Sequence, residues 1–234
     1  MKKSINILAA LLFVLLPLFY FSCKKDKPLN EGMDFGYNYI PDGVGSYIIY
    51  QVDSISFDDI THKRDTTRYL LKEQIASFFF DNVGRKTLRI ERCRKKYKKG
   101  VPYDSIPWSA PYVWIANKTS TDFQKVEENI RYIRLVFPLK NGVEWNANSY
   151  NTFPEKRYKV ASLDKKEVIN SIAFDSVLFV KQIEKVDFIQ YRYEIEKYGR
   201  NIGLLYKERD SIYHGGTPDS IGYTFVQKIV SYNK

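Results

Sequence analysis

Hydrophobic and polar positions alternate with a period of two along several stretches of the chain. Residues 189–196 read I-Q-Y-R-Y-E-I-E, with Ile189, Tyr191, Tyr193 and Ile195 on one face and Gln190, Arg192, Glu194 and Glu196 on the other. Successive side chains of a strand point to opposite faces, so the pattern predicts a half-buried antiparallel strand with its polar face in water. Ile133, Leu135 and Phe137 alternate likewise, and the denser apolar runs at 77–80 and 177–180 predict strands covered on both faces. Turn signals separate the runs: Pro41-Asp42-Gly43, Asp81-Asn82-Val83-Gly84, Lys99-Gly100, Lys140-Asn141-Gly142 and His214-Gly215-Gly216-Thr217-Pro218. Strands joined by short turns predict a mainly β fold, an antiparallel meander forming a half-closed barrel or sandwich. One stretch is ambiguous. Asp122 could cap a helix over 121–134, with Phe123, Val126, Ile130 and Ile133 on one face. Asn129 and the β-favouring run after it favour strand–turn–strand, and little helix is expected beyond the N-terminal segment.

That N-terminal segment follows neither period. Lys2 and Lys3 precede 15 apolar positions, residues 7–21, interrupted by Pro17 and ending at Ser22-Cys23. A membrane-spanning helix needs about 20 apolar residues, and proline weakens the last turns. A basic start, a short apolar run and a small residue before a break describe a secretory signal over residues 1–22. Residues 23–36 then read as a polar tether, and 37–234 as a single β-rich domain.

Composition agrees: 19 Tyr, 15 Phe and 3 Trp favour strands. Cys23 and Cys93 are the two cysteines, too few for a disulfide framework, so the fold must stand on its hydrophobic core. The formal charge of +10 falls by two when Lys2 and Lys3 leave. An exported basic protein meets anionic lipid or polysaccharide rather than nucleic acid. The cations concentrate in residues 91–100, where Arg92, Arg94, Lys95, Lys96, Lys98 and Lys99 precede Gly100. They read as a solvated hairpin end, or as a contact with lipid phosphates at about 1 kcal/mol per cation.

Catalytic and metal signatures are scarce. His62 and His214 have no metal-spaced neighbour, and no His-Glu-x-x-His, Cys-x-x-Cys, EF-hand loop or nucleophile elbow occurs. No metal, cofactor or catalytic residue is expected. Gly84-Arg85-Lys86-Thr87 lacks the earlier glycine of a phosphate loop, and Asp210, Ser211 and His214 are neighbours in sequence only. Arg92 and Arg94 would lower the pKa of Cys93, but a thiol without a role is expected. The triplet Asp-Ser-Ile/Val begins at Asp53, Asp104, Asp175, Asp210 and Asp219 at unequal intervals. It suits the starts of strands, where such side chains satisfy backbone groups, and a shared calcium site is the alternative.

Ser22-Cys23 resembles the lipobox of bacterial lipoproteins, with Tyr20 and Phe21 where that motif usually has Leu and a small residue. Aromatic-tolerant boxes of this kind resemble those of Bacteroidota. Arg134 to Trp145, "RLVFPLKNGVEW", and Tyr198 to Glu208, "YGRNIGLLYKE", are similar to segments of uncharacterised lipoproteins of that group, and "YIPDGVGSYIIYQVDS", from Tyr39, is a weaker echo. In the second, Gly199 replaces Ala and Asn201 replaces the first Gly of a Gly-x-Gly. The resemblance implies acylation at Cys23, a palmitate-type anchor stable with two or more chains, and a β-rich domain; Lys24, rather than Asp, after the cysteine implies the outer membrane. It transfers no catalytic residue. Three functions follow as expectations: a non-catalytic binding or structural module, a carrier of an apolar or lipid ligand in an aromatic-lined half-barrel, and a glycan hydrolase.

Overall fold

The computed structural model describes residues 32–58, 60–61, 63–213 and 221–233. Cys23, most of the tether, His62, His214 and the pair Asp219-Ser220 lie outside the described residues. The strands are β1 (Tyr47–Asp58), β2 (Lys63–Phe80), β3 (Lys86–Lys96), β4 (Tyr112–Lys118), β5 (Asp122–Glu127) and β6 (Ile130–Val136). They continue with β7 (Glu144–Asn146), β8 (Arg157–Ile169), β9 (Ile172–Val186), β10 (Gln190–Gly199), β11 (Gly203–Tyr213) and β12 (Ile221–Asn233). All belong to one sheet in the order β6-β5-β4-β3-β2-β1-β12-β11-β10-β9-β8-β7. Paired neighbours are consecutive in the chain, except β1 and β12, which join its two halves antiparallel.

The free ends of that order, β6 and β7, are also consecutive, and they meet. Ile133 N donates to Ala147 O at 2.9 Å, and Trp145 Nε1 donates to Ile133 O at 3.0 Å. The meander is therefore a nearly closed barrel, which leaves few unpaired strand edges. The "RLVFPLKNGVEW" segment links the two sides of the seam and contributes Trp145 to it.

Local sequence explains the hairpins. Glu128 and Asn129 both have positive φ (50° and 65°), as do Asn170 and Ser171 (51° and 67°). Two-residue turns with both centres at positive φ match the twist of the strands they join. Residues 121–134 are thus strand–turn–strand, and the helical alternative is discarded. In the β10–β11 turn Asn201 sits at φ 59°, a conformation asparagine tolerates, which accounts for its standing in a glycine's place. At Gly199 a Cβ would come 2.9 Å from Leu205 Cδ1.

A 3-10 turn, Tyr37–Tyr39, plugs one end of the barrel. Fully buried Tyr39 joins a core cluster with Leu135, Ala147, Val160 and Leu178. Its hydroxyl donates to Asp164 Oδ1 at 2.9 Å, and Arg200 grips both oxygens of that carboxylate at 2.7 and 2.8 Å while NH1 donates to Asn38 Oδ1 at 2.8 Å. Asp164 is held well below the usual carboxylate range, chiefly by the Arg200 hydrogen bond.

Three sequence expectations are corrected. Phe78, Phe79 and Phe80 are exposed (48%, 45% and 67%) rather than covered on both faces. The cause is register: β1 begins at Tyr47 opposite Gln74 and the last bonds on that side are those of Ile75 with Gly45 and Ser46, so β2 beyond Ile75 pairs on one side only. At 177–180, by contrast, Val177, Leu178 and Val180 are buried. The polar face of residues 189–196 does not all face water, because Glu194 and Glu196 are buried. The four described Asp-Ser triplets do not start strands: Asp53 and Asp175 lie inside β1 and β9, Asp210 late in β11, and Asp104 in the 3-10 turn Tyr103–Ser105. Among the described residues no group of three His, Cys, Asp or Glu could hold a metal ion.

Candidate functional site

Strand alternation carries ionisable side chains into the barrel. Leaving the plugged end, the inward positions of β3 run Ile90, Arg92, Arg94, from apolar to cationic. Phe123, Lys125 and Glu127 repeat the change on β5, as do Leu205, Lys207 and Arg209 on β11. On β10, Tyr198 is followed by Glu196 and Glu194. The result is an apolar floor over the plug with an ionic middle above it. They surround a cavity of about 1000 Å³, within the volume range of small-molecule sites.

Ion pairs knit the middle layer together. Glu73 lies 2.6 Å from Arg92 Nε and 3.2 Å from Lys125 Nζ. Arg134 reaches Glu127 at 2.7 Å and Glu196 at 3.5 Å, and its NH1 donates to Tyr158 Oη at 3.0 Å. Lys207 bridges the same two carboxylates, 3.0 Å from Glu196 and 3.9 Å from Glu127. Nearer the open end Glu194 lies 2.6 Å from Lys156 Nζ and 3.4 Å from Arg209 Nε. Arg92 stacks on Trp114, and Arg94 lies over the rings of Tyr69 and Tyr112. The expected aromatic lining is present, but interleaved with charge.

Burial would raise the carboxyls of Glu196, Glu127 and Glu73, yet the neighbouring cations more than offset it. Glu196 is held at about 2 by Lys207 and Arg134, and Glu127 lies well below the usual range beside Arg134 and Lys207. Glu73 is lowered by Lys125 and Arg92. Burial pulls the Lys207 and Lys156 ammoniums below their ordinary value, and pushes the Tyr198 hydroxyl well up. Among the described carboxyls with a resolved shift, Asp210 alone is raised, to about 6, by burial and then by Glu208; it faces away from the cavity, opposite in phase to Lys207 and Arg209.

The six cations of residues 92–99 separate. Arg92 and Arg94 point inward, the former buried against Glu73. Half-buried Cys93 lies on the opposite face, away from both arginine side chains. Lys95 Nζ donates to Tyr103 O at 3.2 Å, while Lys96, Lys98 and Lys99 are exposed around the Lys98–Val101 bridge. Apart from Arg92 and Arg94, expected at a solvated hairpin end, the ionic residues of the cavity were not among the site candidates read from the sequence. The available signal was the Gln190–Glu196 alternation, which defines two faces but not which one is interior.

Fold and site together define an up-and-down β-barrel with a ligand-sized, partly ionic cavity. No family model and no curated protein matches the chain. Among solved structures it is similar to a "putative lipoprotein" from Parabacteroides distasonis, at 11% identity and a TM-score of 0.36, covering 83% of this chain and 98% of that one. A likeness at that level is too loose to transfer a role, and none is transferred.

Proposed function

We propose that this chain is a lipid-anchored envelope lipoprotein whose barrel holds a small ligand without transforming it. The cavity carries the reading: a purely structural module gains stability from a filled core, whereas this interior leaves about 1000 Å³ open. Ionised carboxylates on the wall favour the non-catalytic reading over glycan hydrolysis, which needs one carboxyl kept protonated near neutral pH. Glu127 and Glu196 are both held low, and raised Asp210 is not part of the cavity wall. Attachment is through acyl chains on Cys23, in the outer membrane, with the exposed Lys96, Lys98 and Lys99 free to meet anionic lipid or polysaccharide.

Native mass spectrometry of residues 24–234 tests the ligand, with a small molecule expected to be released on denaturation. A protein that carries no such mass and takes up none from an envelope extract would overturn the reading. Cell fractionation of Cys23→Ala tests the anchor: the variant is expected in the soluble fraction, and membrane association equal to wild type would refute acylation.

A further inference from the structure

The cavity wall is not charge-balanced. Among the described residues seven cationic side chains line it against four carboxylates, and adding Glu194, which pairs with two of those cations, leaves a surplus of two. The surplus is local. Arg94 has aromatic partners and the Tyr112 hydroxyl, 2.8 Å from NH2, but no carboxylate within ion-pairing distance among the described residues. Its Nε lacks a protein acceptor, as does Arg209 Nε, whose nearest carboxylate oxygen lies 3.4 Å away on Glu194. Gln227, on β12 opposite Lys207, is 3% exposed and lines the cavity, and its Nε2 also lacks a protein acceptor. Buried donors without acceptors are costly, and three such donors line one cavity. Toward the plug the wall turns apolar at Ile75, Ile90, Trp114 and Phe123.

We infer that the cavity binds an anionic amphiphile: a carboxylate or phosphate group accepts from Arg94, Arg209 and Gln227, and an apolar chain lies against the floor. This rests on the ligand-binding reading above. Charge-assisted hydrogen bonds contribute about 1.5–3 kcal/mol each, so one bond lost is roughly a ten- to hundredfold loss of affinity.

The test is calorimetric titration of residues 24–234 with decanoate, decanol, decyltrimethylammonium and inorganic phosphate. Decanoate is expected to bind roughly tenfold or more tightly than decanol, more weakly as salt rises, with no binding of the cation. Arg94→Gln and Arg209→Gln should each weaken decanoate and leave decanol unchanged. Decanol binding as tightly as decanoate, or both variants retaining full decanoate affinity, would overturn the anion site while leaving a ligand-binding barrel intact. Phosphate binding as tightly as decanoate would overturn the apolar part. Failure of all four probes, together with no co-purifying mass, would remove the binding reading itself.

Discussion

The guanidinium carbon of Arg92 lies 3.4 Å from the ring centroid of Trp114, and its Nε donates to Glu73 Oε1 at 2.6 Å. One side chain thus joins the aromatic and ionic parts of the cavity wall. Removing it leaves Glu73 with Lys125 alone and takes from the indole the nearer of its two cations, the other being Lys125 at 4.8 Å; such a contact is worth about 0.5–2 kcal/mol. Arg92→Ala is expected to cost about 3 kcal/mol by chemical denaturation, since it removes one partner of a buried pair, and to shift tryptophan emission. A denaturation midpoint equal to wild type would show that Arg92 is not holding the wall.

Arg134 makes a sharper case because it serves two carboxylates. Without it, Glu127 and Glu196 share Lys207 alone. Arg134→Met is expected to lose about 3–5 kcal/mol, whereas the same change with Glu127→Leu should recover part of that loss, since the uncompensated buried charge is gone. A double-mutant cycle by urea denaturation measures the coupling; strict additivity would contradict the geometry.

The same carboxylates set the response to acid. Glu196 has a folded-state pKa of about 2 against an ordinary 4.5, with Glu127 and Glu73 displaced the same way. A depressed pKa means that the unfolded chain binds more protons in this range, so stability rises with pH. The contribution from Glu196 is full above about pH 5 and is lost progressively as pH falls from 4.5 through 2, on the order of 3 kcal/mol. Melting temperature should fall across that window, and Glu196→Gln should flatten the profile. A wild-type melting temperature constant from pH 6 to pH 3 would contradict it.

How far the sequence revealed this arrangement depended on what local chemistry encodes. Glu128-Asn129 and Asn170-Ser171 lie in turns whose positive φ makes the hairpins, and the meander follows from such turns. Closure at Ile133 and Ala147 is a contact between chain-adjacent elements, consistent with a half-closed barrel yet unmarked by any local signal. The interior was the hidden part. Arg134, Glu127 and Glu196 each sit in ordinary alternating strands, and alternation assigns faces without saying which one the barrel encloses. Phe78–Phe80 failed for the reverse reason: their apolar character is local, while their exposure depends on where β1 begins on the neighbouring strand.

The clasp over the plugged end gives the last expectation. Arg200 binds Asp164 through both guanidinium ends and also Asn38, with its carbon 4.8 Å from the Tyr39 ring centroid. The Asp164 side chain is 46% exposed, so solvent screens the pair and Arg200→Ala should cost about 1–2 kcal/mol, less than the buried pairs above. Arg200→Lys should not restore it, because an ammonium cannot match the bidentate fork. The loss should be largest at the 3-10 turn, which Arg200 ties through Asn38 and Tyr39 to Asp164 on β8 and Ser176 on β9, because those two strands are also held by their own ladder. Hydrogen exchange at residues 37–40 is expected to accelerate in Arg200→Ala while β9 and β10 stay protected. Acceleration spread evenly over all strands would mean that Arg200 supports the whole barrel rather than its plug.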